Sequence, residues 1–244
     1  MKKILFVSLI LIVLIGCSKN QLTREMPVED KMNIAEELFD QGKYHKAIPY
    51  YTNIVLDRNS IYTAKAQMKL GDCYFYQDNF LEARFEYEEL IRLFKNYEDI
   101  SKAYFNIGVC YFEESLSPHY TQEETEKAII SFETFIEKFP FDERIDEALD
   151  YLEKCEYKLL EKKYNNGYAY FKMYDYSSAL LYFDEITALN IIDKIDKMSL
   201  FYSGRIYIAR KDKANALLIV DKMNTRYPDY KETKKINNLF KKLK

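Results

Sequence analysis

Of the four cysteines in this 244-residue chain, Cys17 stands where a thiol can be put to use. It ends an apolar run from Ile4 to Ile15 that is led by Lys2 and Lys3 and followed by Gly16. A thiol is a nucleophile and can be acylated. The run is well short of the roughly 20 apolar residues that a bilayer-spanning helix needs, and has the layout of a cleavable export signal with a small residue at the cut. Cys73 and Cys110 lie in GDCYF and GVCYF, the same position of two similar segments. Equivalent positions of stacked helical units sit about 9–10 Å apart, beyond the roughly 7 Å reach of a disulfide, so both are expected as small core residues. Neither His45 nor His119 has a second ligand at metal-binding spacing, so no metal and no cofactor is expected. No Ser, His and acid set and no glycine-rich phosphate loop occurs, and the acids fall on helix surfaces. The residues point to binding, not catalysis.

The stretch Leu14-Ile15-Gly16-Cys17 resembles the lipobox of bacterial lipoproteins. That likeness implies removal of residues 1–16, lipid on Cys17 and, with Ser18 rather than Asp next to it, transport to the outer membrane. Two or three acyl chains would hold the protein there, since each buried methylene contributes about 0.8 kcal/mol. The formal charge is −3, and losing Lys2 and Lys3 makes it more acidic, which gives no basic surface for nucleic acid. Only 6 glycines and 5 prolines occur, so long helices with few turns are expected. The apolar mass is aromatic: 23 Tyr and 16 Phe against no Trp.

Those helices fall into a repeat. From Gly71, an alanine follows 12 positions on, at Ala83, and an aromatic 16 on, at Tyr87. The same offsets give Ala35, Ala47 and Tyr51; Gly167, Ala179 and Phe183; and Gly204, Ala216 and Val220. In the unit of Gly108, Ala128 and Phe132 the first offset is 20, with the extra residues in the loop-like SLSPHYTQEET, 115–125. Small residues let paired helices approach, and the large side chain fills the space beside them. The spacing of the alanines resembles the roughly 34-residue tetratricopeptide repeat, stretched by that loop and by a longer helix at 144–163. The expected fold is all-α: a right-handed superhelix of about five tetratricopeptide-like helical hairpins and a C-terminal capping helix. Pro27 should open the first helix, whereas Pro49 falls inside the second and should kink or delay it.

Projecting the first helix of each pair onto its inner side gives a candidate peptide-binding set: Phe39, Met68, Asp72, Phe75, Tyr76, Phe105, Val109 and Phe112. An aromatic groove of this kind suits an extended peptide with aromatic residues of its own, bound with micromolar affinity. At the other end, residues 231–244 hold six lysines against Glu232, with Ile236, Leu239, Phe240 and Leu243 at helical spacing. This is the expected cap, with a docking edge for an acidic partner or lipid surface as a second use.

Lipobox, polar linker, five repeats, an enlarged third loop and the aromatic-proline pairs Phe139-Pro140 and Tyr227-Pro228 together resemble the BamD (YfiO) family of outer-membrane assembly lipoproteins. The aromatic-proline pairs are absent after the first two units, where DRNS (57–60) and FKNY (94–97) stand. The resemblance implies a subunit of the machine that inserts β-barrel proteins, lipid-anchored on the periplasmic face of the outer membrane. Its partners would be the core insertase with periplasmic POTRA domains, accessory lipoproteins, and the C-terminal signals of unfolded barrel proteins. It further implies a lipidated linker at 17–27, client-binding repeats 1–3 at 28–140 and a complex-docking part at 141–244. The competing expectation is a repeat lipoprotein adaptor in another envelope process, such as cell-wall synthesis or division.

Overall fold

The computed structural model describes residues 26–58 and 60–243, so the leader, Cys17 and the linker lie outside the described residues. Within them are eleven α-helices and no strand: α1 (Val28–Asp40), α2 (Tyr44–Leu56), α3 (Thr63–Phe75), α4 (Phe80–Leu93), α5 (Ile100–Glu114), α6 (Glu123–Lys138), α7 (Ile145–Lys172), α8 (Tyr176–Ala188), α9 (Lys194–Ala209), α10 (Lys213–Arg226) and α11 (Lys231–Lys241). They form five hairpins, α1/α2 to α9/α10, and a final helix. Two compact units result. One runs to Glu114 and takes in Lys127–Leu152; the other comprises Ser115–Glu126 and Glu153–Lys244.

In the first unit each helix packs on the next from α1 to α5, and the repeat positions sit where the spacing demands. A Cβ on Gly71 would come within 2.6 Å of the Tyr87 ring, and one on Gly108 within 2.7 Å of Phe132. Those contacts are too close for any side chain, so glycine is what lets each aromatic lie flat on the preceding helix. Ala35, Ala47, Ala83, Ala128 and Cys73 and Cys110 are fully buried, and both thiols are free. Burial pushes each thiol up to about 12, which keeps them unreactive. Buried aromatics close the unit: Phe132 stacks on Tyr151 at 5.0 Å, and Phe105 meets Phe135 at 5.5 Å.

Ion pairs recur at the same register between repeats. Lys65 reaches Glu36 at 2.5 Å, and Lys102 reaches Asp72 at 2.7 Å. Asp72 also accepts from the Tyr87 hydroxyl, which in turn accepts from Asn106. Four of the five hairpin turns are the same turn: seven residues after the small residue stands a left-handed residue, Gly42 (φ 68°), Asp78 (58°), Tyr174 (61°) or Lys211 (57°). At the first, Gly42 N–H donates to Phe39 O and Lys43 N–H to Leu38 O, which satisfies carbonyls at the helix end.

In the second unit α9 packs on α8, α10 and α11, and α10 on α11. Gly167 faces Phe183 as expected, but the fifth unit departs from the pattern. Gly204 is met by Ile236 and Ile219, not by Val220, because α11 presses its apolar side there with Ile236 fully buried. The C-terminal helix is therefore a cap. The enlarged loop is shorter than expected, 115–122, since Glu123, Glu124 and Thr125 form the first turn of α6. Gln122 ties it shut, its amide donating to the carbonyls of Leu116, Ser117, Tyr120 and Thr121. The long helix runs past 163 to Lys172, 28 residues in all.

Two prolines adjust the expectations. Pro27 stands at the N-cap of α1 with ψ 145°, one position before the first turn. Pro49 neither ends nor delays α2, which passes through it. It lies on the exposed side, where water can take up the His45 carbonyl that it leaves unpaired.

Candidate functional site

The repeat register sorts the sequence-derived site residues. Met68 and Phe105 stand three positions before the small residue and are 2% and 5% exposed; Asp72 and Val109 stand one after it and are 2% and 5% exposed. These four are core, not groove lining. Their positions face the neighbouring hairpin, and Asp72 spends its carboxylate on Lys102 and Tyr87. Phe112 is half-buried against Tyr151 at 5.1 Å.

Phe39, Phe75 and Tyr76 are brought together, at the ends of α1 and α3. Two aromatics join them that sequence reasoning missed, Tyr44 and Phe80, the first residues of α2 and α4. Tyr44 stacks on Tyr76 at 5.1 Å, Phe39 meets Tyr44 edge-on at 5.2 Å and Tyr76 at 5.9 Å, and Phe75 meets Phe80 at 5.6 Å. The signal was present: both newcomers stand nine positions after the small residue, Ala35 or Gly71, and the left-handed turn swings that position back beside the helix end. Tyr76 is 54% exposed, and the other four are half-buried. Lys69 holds its ammonium 4.1 Å above the Phe39 ring and forms no ion pair among the described residues. The result is an open aromatic cluster with one cation beside it, able to hold a ring on its faces and an anionic group at its edge.

A second hollow of the same unit, about 430 Å³, lies between α2 and α4 with α3 behind it. Leu56, Phe85 and Leu93 give it an apolar rim, and Gln67 and Glu86 hydrogen-bond within it. Desolvation pushes the Glu86 carboxyl up to about 7, with the Gln67 hydrogen bond acting against it. Glu89, whose charge also raises Glu86, and Arg58 line the same cleft, so it offers charged groups inside an apolar rim, which is a binding feature. Among the described residues no group of His, Cys, Asp or Glu could hold a metal ion, and no helix is long and apolar enough to cross a membrane.

Sequence profiles described as "Tetratricopeptide repeat" match residues 32–97 and 102–142. The chain is 21% identical over 125 residues to "Outer membrane protein assembly factor BamD" of Caulobacter vibrioides, a match covering 51% of this chain and 41% of that relative. The chain thus spans less than half the length of the curated relative it matches. Similar solved structures include a tetratricopeptide repeat protein of Parabacteroides merdae (16% identity, TM-score 0.38, 88% of this chain and 74% of that one). They also include YrrB, "a TPR protein with an unusual peptide-binding site" (16%, 0.35, 85% and 90%), and the TPR2AB domain of yeast Sti1 in complex with pHSP90 (14%, 0.43, 88% and 98%). The profile matches thus place tetratricopeptide repeats at residues 32–97 and 102–142, within the first three of the helical hairpins already described.

Proposed function

We propose that this chain is a non-enzymatic, lipid-anchored subunit of the outer-membrane β-barrel assembly machinery. In this account Cys17 carries the lipid, the first unit receives the C-terminal signals of unfolded barrel proteins, and the later repeats dock the POTRA-bearing insertase and accessory lipoproteins. The observation that carries it is the cluster of half-buried Phe39, Tyr44, Phe75 and Phe80 around exposed Tyr76, with Lys69 at its edge. A chain that ends in an aromatic residue offers a ring and a carboxylate side by side, and rings with an ammonium beside them complement that pair. The sequence similarity to BamD and the export-signal layout ending at Cys17 support the same assignment.

Affinity-purifying the full chain from solubilised membranes tests this account. The expected result is co-recovery of a barrel protein with POTRA domains, and loss of membrane attachment when Cys17→Ser is introduced. Recovery of cell-wall synthesis or division proteins alone, or unchanged attachment of the Cys17→Ser chain, would overturn it.

A further inference from the structure

Arginines of the described residues that are mostly buried have acids to pair with. Arg84 reaches Glu114 at 2.6 Å, Arg144 reaches Asp142 at 2.7 Å and Arg226 reaches Asp196 at 3.1 Å. Arg205 departs from this rule. It is half-buried on α9, one position after Gly204, and no hydrogen bond or ion pair holds it within the described residues. Its guanidinium instead lies 5.0 Å from the Phe171 ring, 5.7 Å from Tyr202 and 5.8 Å from Phe201. Phe201 also carries a second cation, Lys235 of α11, at 5.6 Å. Among the described residues, Glu232 adds to the burial that raises the Tyr202 phenol but forms no ion pair with either cation.

A guanidinium has five N–H donors in a planar fork. Here ring faces position that fork and strip part of its water, which strengthens its attraction for an anion. Rings do not use the donors themselves. The fork matches a carboxylate in bidentate fashion, and Lys235 adds a second point of attraction across the Phe201 ring. Arg205 is recessed, so a slender side chain can reach it more readily than a flat surface can. We infer that the Phe171, Phe201, Tyr202, Arg205 and Lys235 face of the second unit is a docking site for an acidic, extended segment of a partner protein, whose carboxylates engage Arg205 and Lys235. This site is separate from the aromatic cluster of the first unit and does not depend on what that cluster binds.

Fluorescence anisotropy with the full chain tests the inference, using a labelled peptide of alternating glutamate and serine and a matched peptide with glutamine for glutamate. The glutamate peptide should bind at least about tenfold more tightly, because charge-assisted bonds are the strong ones, and raising NaCl from roughly 50 to 500 mM should weaken it. Arg205→Gln should abolish the preference, Arg205→Lys restore it only in part, and Glu232→Gln tighten binding; helix content should be unchanged in all three. Equal binding of the two peptides, or an unaltered preference in Arg205→Gln, would overturn the site. So would phosphatidylglycerol vesicles that bind the chain through Arg205 while the glutamate peptide does not, since the occupant would then be a lipid surface.

Discussion

Two tyrosines at one repeat position show how far environment, not identity, decides what a residue contributes. Tyr51 and Tyr87 are both fully buried four positions after the repeat alanine. The Tyr87 hydroxyl donates to Asp72 and accepts from Asn106, whereas that of Tyr51 has no partner within the described residues. Tyr87→Phe should therefore destabilise by about 1–3 kcal/mol, and Tyr51→Phe should be neutral or stabilise by up to about 1 kcal/mol. Urea denaturation of the two variants checks this, and equal losses would contradict it. Glu86 gives a pH signature. Desolvation pushes its folded carboxyl up to about 7 from an ordinary value of 4.5, so between those values the native state holds more protons than the unfolded one. Stability should then fall as pH rises from about 4.5 to 7. Because Glu86 is only part-buried and solvent screens it, the expected contribution is about 1 kcal/mol. Glu86→Gln should flatten the dependence in denaturation curves recorded across that window. Glu86 itself was not legible in the sequence, where it is one acid among 39 acidic residues; its pKa is set by Gln67 and the α2–α4 cleft, which exist only after the helices pack.

Helix pairing, by contrast, was largely legible, because the spacing of small and large residues is itself the packing rule. Gly71 under Tyr87, Gly108 under Phe132 and Gly167 under Phe183 follow directly from it. It failed at Gly204, where α11 supplies Ile236, a contact outside the repeat. The site was half legible for a related reason. Helical projection says which residues share a face, but not whether the next hairpin covers that face, and so Met68, Asp72, Phe105 and Val109 went to the core. The left-handed turn also escaped notice, because only Gly42 of its four residues is a glycine. That turn is open to test. A non-glycine residue with positive φ is strained by about 1–2 kcal/mol, so Lys211→Gly should stabilise by about 0.5–1 kcal/mol. The thermal midpoint should rise accordingly; a fall would show that Lys211 is held by something other than the turn. Each second helix also carries an exposed apolar residue two positions after its alanine: Phe85, Ile130, Leu181 and Leu218. Pro49 holds that position in the first unit, which accounts for its tolerance, since nothing packs there.

At the scale of the whole molecule, repetition supplies a scaffold, and departures from repetition supply the surfaces. Each unit has its own. The first presents rings with Lys69 beside them, and the second presents Arg205 and Lys235 on rings, with neither cation in an ion pair among the described residues. Calorimetric titration of the full chain with a peptide ending in a free aromatic C-terminus tests the central claim, that the first unit is a receptor for such ends. The account predicts micromolar binding, weakened about tenfold or more by Tyr76→Ala or by replacing the terminal aromatic with alanine, at a cost of at least about 1.4 kcal/mol. Wild-type affinity in the Tyr76→Ala chain, or equal binding of the two peptides, would contradict it.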